Sequence, residues 1–81
     1  MKLEILEKDN FYHIYNRGIN SQNIFQTNEN KDYFLKLFSK YLHDKIGVFA
    51  YCLMDNHFHF IIKVMEDGII VTQAFSDFFN A

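Results

Sequence analysis

From His57 to Val64 (HFHFIIKV) polar and apolar residues alternate with a period of two, so that Phe58, Phe60, Ile62 and Val64 share one face of an extended segment and the two histidines the other. Upstream, Val48 to Met54 (VFAYCLM) is a short apolar run of the length of a buried strand. Asp55-Asn56 between them is a tight turn, because both residue types tolerate left-handed backbone angles. Phe11 to Arg17 (FYHIYNR) is aromatic and β-prone and ends at Gly18, a further strand and turn. Ile19 to Gln26 reads as loop. Beyond it Phe34, Leu35, Leu37, Phe38, Tyr41 and Leu42 recur at helical spacing, with Lys31, Lys36 and Lys40 largely off that stripe. Thr27 or Asn28 is the cap, Glu29 and Asp32 suit the positive end of the helix dipole, and Gly47 closes the pattern. Asp67-Gly68 is a second turn, and Val71, Phe75, Phe78 and Phe79 mark a second helix within Ile69 to Ala81.

Strand, helix, strand, strand, helix is the order of a ferredoxin-like βαββαβ unit up to its fourth strand. The expected fold is therefore α+β, a ferredoxin-like βαββα(β) domain with an antiparallel sheet over residues 1–81, lacking the last strand. Neither glycine, proline nor a capping residue marks Ala81 as a helix end, so the domain reads as C-terminally incomplete.

Composition narrows the class. A chain of 81 residues buries only about 60% of the surface its unfolded form exposes, and ten Phe and five Tyr partly offset that limit. Cys52 is the only cysteine, which excludes an intrachain disulfide and points to a reducing, cytoplasmic setting; in its apolar run it reads as a small buried hydrophobe. No apolar run approaches the ~20 residues of a membrane span, and Met1 to Asn10 lacks the apolar core of a signal peptide. A net charge of −2 excludes a duplex binder that works by blanket phosphate neutralisation, so any nucleic-acid role rests on a local site.

His57 and His59 are two apart on a strand, which places both imidazoles on one face about 6.5–7 Å apart at the backbone. Two ring nitrogens so placed can converge on one metal ion, although a third donor is then required; without it they are two histidines on a half-exposed strand. His13 lies with Tyr15 and Arg17 on one face of the first strand, beside the histidine strand in the ferredoxin-like order. It is either a contact to the metal ligands, a DNA contact or an ordinary half-buried histidine. Arg17, at a strand end, is a phosphate ligand or a solvated turn residue. Tyr12, Tyr15 and Tyr51 are base-stacking candidates or core. His43 closes the first helix, where a cation is favoured, and has no functional role; Lys31, Lys36, Lys40 and Lys45 form a solvated fringe.

Three segments in order, YHIYNRG (12–18), FAYCLMDNHFHFIIKV (49–64) and VTQAFSDFFNA (71–81), resemble the REP-associated and insertion-sequence single-tyrosine transposases. Their signature is an HUH motif, two histidines flanking a hydrophobic residue, after a turn in a phrase such as V-L-M-P-N-H-x-H. Leu53 to His59 match it, with Asp55 in place of the proline. The resemblance implies a magnesium or manganese ion on His57 and His59, single-stranded or hairpin DNA as partner with Arg17, His13 and Tyr15 as contacts, and strand cleavage through a 5′-phosphotyrosine. It implies a nucleophilic tyrosine on the helix after the hairpin, followed by a third metal ligand. Ile69 to Ala81 holds no tyrosine, and Tyr33 and Tyr41 match no nucleophile position. The nucleophile is thus expected beyond Ala81, and the chain carries the metal half of a transposase without its catalytic residue. Without the fourth strand, the edge of the first strand and the Phe75, Phe78 and Phe79 stripe are left uncovered, which predicts a homodimer built on that edge or on exchanged C-terminal helices. Two alternatives stand beside this reading: a non-catalytic DNA-hairpin-binding module with a structural metal site, and an unrelated ferredoxin-like protein-interaction domain.

Overall fold

The computed structural model describes residues 5–17 and 23–81, the side chain of Arg17 excepted. The elements are β1 (Phe11–Arg17), α1 (Asn28–Leu42), β2 (Ile46–Met54), β3 (His57–Val64) and α2 (Gly68–Phe79). The expected turn at Gly18 and the first part of the loop from Ile19 lie outside the described residues. The sheet order is β1-β3-β2, with β3 antiparallel to both neighbours. β1 and β2 therefore run parallel to each other with β3 between them. The fold is α+β as expected, and its element order is consistent with the ferredoxin-like arrangement.

Alternation along β3 decides where the core forms. Phe58, Phe60, Ile62 and Val64 are buried, and both helices lie over them. The Phe38 ring lies almost parallel to that of Phe60, 4.3 Å away, and Phe34 and Phe78 meet edge to face at 5.1 Å. Such pairs add about 0.5–1.5 kcal/mol each beyond the area they bury. Leu42 on α1 and Val71 and Phe75 on α2 are fully enclosed, completing a core built largely from aromatic rings.

Local chemistry sets the helix starts. Thr27 caps α1: its hydroxyl accepts from Asn30 N at 3.1 Å while Asn30 Oδ1 accepts from Thr27 N at 3.2 Å, a reciprocal capping box. Asp67 and Gly68, expected as a turn, instead start α2. The Asp67 carboxylate accepts from Ile69 N, and Gly68 is the first helical residue. The N-terminal segment passes so close that a Cβ on Gly68 would overlap the Leu6 carbonyl oxygen. Leu6 is itself buried, and its N–H donates to Thr72 Oγ1 at 2.9 Å.

β2 departs from expectation. It begins at Ile46 and contains Gly47, and residues 48 to 52 are exposed rather than buried. Apolar composition suggested a buried strand, but β2 lies at the sheet edge and the helices cover one face only. Cys52 is exposed for the same reason. A bulge between Val48 and Ala50 adds Phe49, whose ring meets Phe11 across the uncovered face at 5.1 Å.

Adjacent residues on β3 should therefore differ sharply in cost. Phe60→Ala removes a ring that is 1% exposed and should destabilise by ~3–5 kcal/mol, most of what a small domain has. Ile61→Ala, at a side chain 39% exposed, should cost ~1 kcal/mol or less. Urea unfolding of the two variants checks this; equal losses would mean that both faces of β3 carry core.

Candidate metal and nucleic-acid face

The face of the sheet turned away from the helices holds the candidate residues. Antiparallel register puts Tyr15 and Cys52 directly opposite His59, one on each side, and Arg17 and Met54 opposite His57. His57 and His59 thus occupy the middle strand of a surface to which all three strands contribute. Their rings are 5.0 Å apart between centroids and nearly perpendicular.

The turn before His57 is held from two sides. The Asp55 carbonyl accepts from Ile24 N at 2.7 Å and Phe25 N at 2.9 Å, and Phe25 is buried. The Asp55 carboxylate pairs with Lys31 Nζ at 2.9 Å, from the first turn of α1. Lys31, expected as part of a solvated fringe, therefore ties the helix to the hairpin. Because the Asp55 side chain is largely exposed, the pair contributes at most ~1 kcal/mol.

Hydrogen bonds orient both imidazoles. Asn56 Oδ1 lies 2.7 Å from His57 Nδ1; an amide oxygen only accepts, so the contact is a hydrogen bond in the tautomer that carries its proton at Nδ1 and its lone pair at Nε2. His59 Nδ1 lies 2.7 Å from His13 Nε2. Tyr15 packs against both rings of that pair, 4.7 Å from His13 and 6.1 Å from His59. A shallow hollow lined by Ala50, Tyr51, Cys52, His59 and Ile61 adjoins the histidines.

The expected residues divide clearly. His13, Tyr15, His57 and His59 come together on one face; for Arg17 the backbone position opposite His57 is fixed, and its side chain lies outside the described residues. Tyr12 and Tyr51 do not join them. The Tyr12 hydroxyl accepts from Glu7 N at 2.9 Å on the helix side, and Tyr51, opposite Phe60 in register, stacks on it at 5.7 Å while its exposed edge lines the hollow beside His59. Among the described residues no group of three or more His, Cys, Asp or Glu side chains converges in a metal-holding arrangement. The donor chemistry of the histidine pair nonetheless fits a borderline divalent ion through Nε2, with water or substrate oxygen completing the shell. Asn56 was missed in the sequence, although its position next to His57 was the available signal.

The nucleophile implied by the resemblance is expected beyond Ala81; within the described residues, α2 packs Phe75, Phe78 and Phe79 against the core side, with Phe79 stacked on Phe58 at 6.2 Å. Side chains of α2 are separated from His57 and His59 by the sheet itself.

Comparison with protein-family models, with curated proteins and with solved structures finds no match. No helix among the described residues is long and apolar enough to cross a membrane.

Exposure of Cys52 has a direct chemical readout. The thiol should react with a water-soluble disulfide reagent in the folded protein at a rate comparable to that in urea. Reaction only after unfolding would restore the buried assignment and contradict the bulge-dependent register of β2.

Proposed function

We propose that the histidine face is a divalent-metal and single-stranded-DNA site of the single-tyrosine HUH transposase type. The observation that carries this reading is the pairing of His57 and His59 on one exposed face, each bonded through Nδ1. That is the arrangement in which an imidazole ligates through Nε2 while its other nitrogen is fixed by a neighbour. His57 and His59 would hold a manganese or magnesium ion, which when bound polarises a phosphate oxygen as a Lewis acid. Two imidazoles favour manganese over magnesium, which prefers oxygen donors.

Tyr15, 58% exposed beside the histidines, offers a surface on which a base can stack, and Arg17 starts from the strand position opposite His57. Recognition of a DNA hairpin by stacking and a few phosphate contacts is compatible with a net charge of −2. In this reading the chain binds and orients DNA for cleavage and rejoining through a 5′-phosphotyrosine, and the nucleophile lies beyond Ala81. A cytoplasmic setting and a homodimer paired through the outer edge of β1 belong to the same proposal. The lack of a tyrosine from Ile69 to Ala81 leaves room for a second reading, in which the same face is a non-catalytic DNA-hairpin-binding module with a structural metal.

Calorimetry with manganese should show one site, tighter than for magnesium and weakened by acid, because a protonated imidazole cannot ligate. His57→Ala should abolish the binding, and equal binding by variant and wild type would refute the metal assignment. Incubated with a hairpin oligonucleotide and manganese, the chain should bind DNA without forming a denaturation-resistant adduct. An adduct mapped to any of Tyr12, Tyr15, Tyr33, Tyr41 or Tyr51 would place the nucleophile within residues 1–81.

A further inference from the structure

His13 sits diagonally across from His59: its own register partner is Ile61, and Tyr15 is the residue directly opposite His59. Diagonal neighbours on one face of an antiparallel pair are within reach of long or aromatic side chains. The two imidazoles are 20° from parallel, with centroids 5.0 Å apart and Nε2 of His13 2.7 Å from Nδ1 of His59. Those values describe rings side by side rather than face to face, since the centroid distance is about the nitrogen–nitrogen distance plus one ring radius at each end. The contact is an in-plane N–H···N hydrogen bond, and Tyr15, packed on the His13 ring at 4.7 Å, limits the rotation that would break it.

Such a bond needs one donor and one acceptor, so it couples the tautomers of the two rings. If His13 Nε2 donated, His59 would accept at Nδ1 and carry its proton at Nε2, leaving neither nitrogen able to ligate. If His59 Nδ1 donates, its lone pair is at Nε2, and bond and ligation coexist.

We infer that His13 is a positioning residue for His59: it accepts the Nδ1 proton and thereby holds the lone pair of His59 at Nε2. Asn56 does the same for His57 from within the turn, so the two imidazoles are set by two different kinds of acceptor, an amide in the turn and an imidazole on β1. The direction of the bond, and with it the consequence for metal binding, rests on the reading proposed above; the bond itself does not.

The test uses His13→Phe, which keeps a ring for Tyr15 to pack on but cannot accept, and His13→Gln, whose amide oxygen can. Ring nitrogen-15 spectra of the metal-free protein report the His59 tautomer, and manganese calorimetry reports affinity. Wild type and His13→Gln should show His59 protonated at Nδ1, and His13→Phe should shift it toward the Nε2-protonated form with an unchanged melting temperature. Manganese affinity should fall ~10–100-fold in His13→Phe and recover largely in His13→Gln. An unaltered His59 tautomer in His13→Phe overturns the inference, as does unaltered manganese affinity where the wild type binds. If the wild type binds no metal but the tautomer shifts as expected, the metal reading fails and the positioning role of His13 stands.

Discussion

Residues 57–64 have to satisfy two surfaces at once, and nearly everything else in the molecule follows from that requirement. β3 is hydrogen-bonded on both edges, so it cannot rotate to favour either face, and its side chains alternate between helix-covered core and open sheet. A slip of one residue against β1 or β2 would place His57 and His59 under the helices and Phe58 and Phe60 in water. Burial of Phe58, Phe60, Ile62 and Val64 therefore fixes the histidines outward as firmly as it fixes the core inward. The free energy that folds the domain also aims the candidate ligands.

Small size makes this arrangement demanding. Both helices are needed on one face to enclose a core, and their rings interlock across it: Phe38 on Phe60, Phe34 against Phe58 and Phe78, Phe75 near Phe38. The opposite face of the sheet is left uncovered by any helix among the described residues, and it is this open face that carries His13, Tyr15, Cys52, His57 and His59. Placing these side chains on paired strands gives them fixed spacing without a supporting loop. The turn that introduces His57 is likewise held, by two backbone bonds to Asp55 and the Lys31 pair. Precise placement and solvent access coexist because the core occupies only one side.

Much of this was legible in the residues. The period of two in HFHFIIKV separated histidines from core, the helical spacing of Phe34 to Leu42 gave α1, and Thr27 was one of two candidate caps. Other features depend on partners that no local pattern encodes. An apolar run such as VFAYCLM is the same whether it ends in the middle of a sheet or at its edge, so the exposure of β2 and Cys52 was hidden. The bulge at Val48/Ala50, which sets Cys52 rather than Tyr51 opposite His59, adds one residue to a strand whose composition does not mark it. Asp67-Gly68 fits a turn and a helix start equally well in isolation; here the Asp67 cap starts a helix, and the close approach of Leu6 leaves no room for a Cβ at its first residue. The bond between His13 and His59 spans two strands far apart in sequence, and the side of the sheet taken by α2 is a property of the whole core.

The central claim, that one divalent ion is held on the open face by the middle strand, is tested most directly by paramagnetic broadening. Substoichiometric manganese added to isotopically labelled protein should broaden the resonances of Tyr15, Cys52, His57 and His59 first and leave those of Ala74 and Ser76 on α2 sharp, because relaxation falls steeply with distance from the ion. Broadening centred instead on exposed carboxylates such as Glu29 and Asp32, or none at all, would contradict the account.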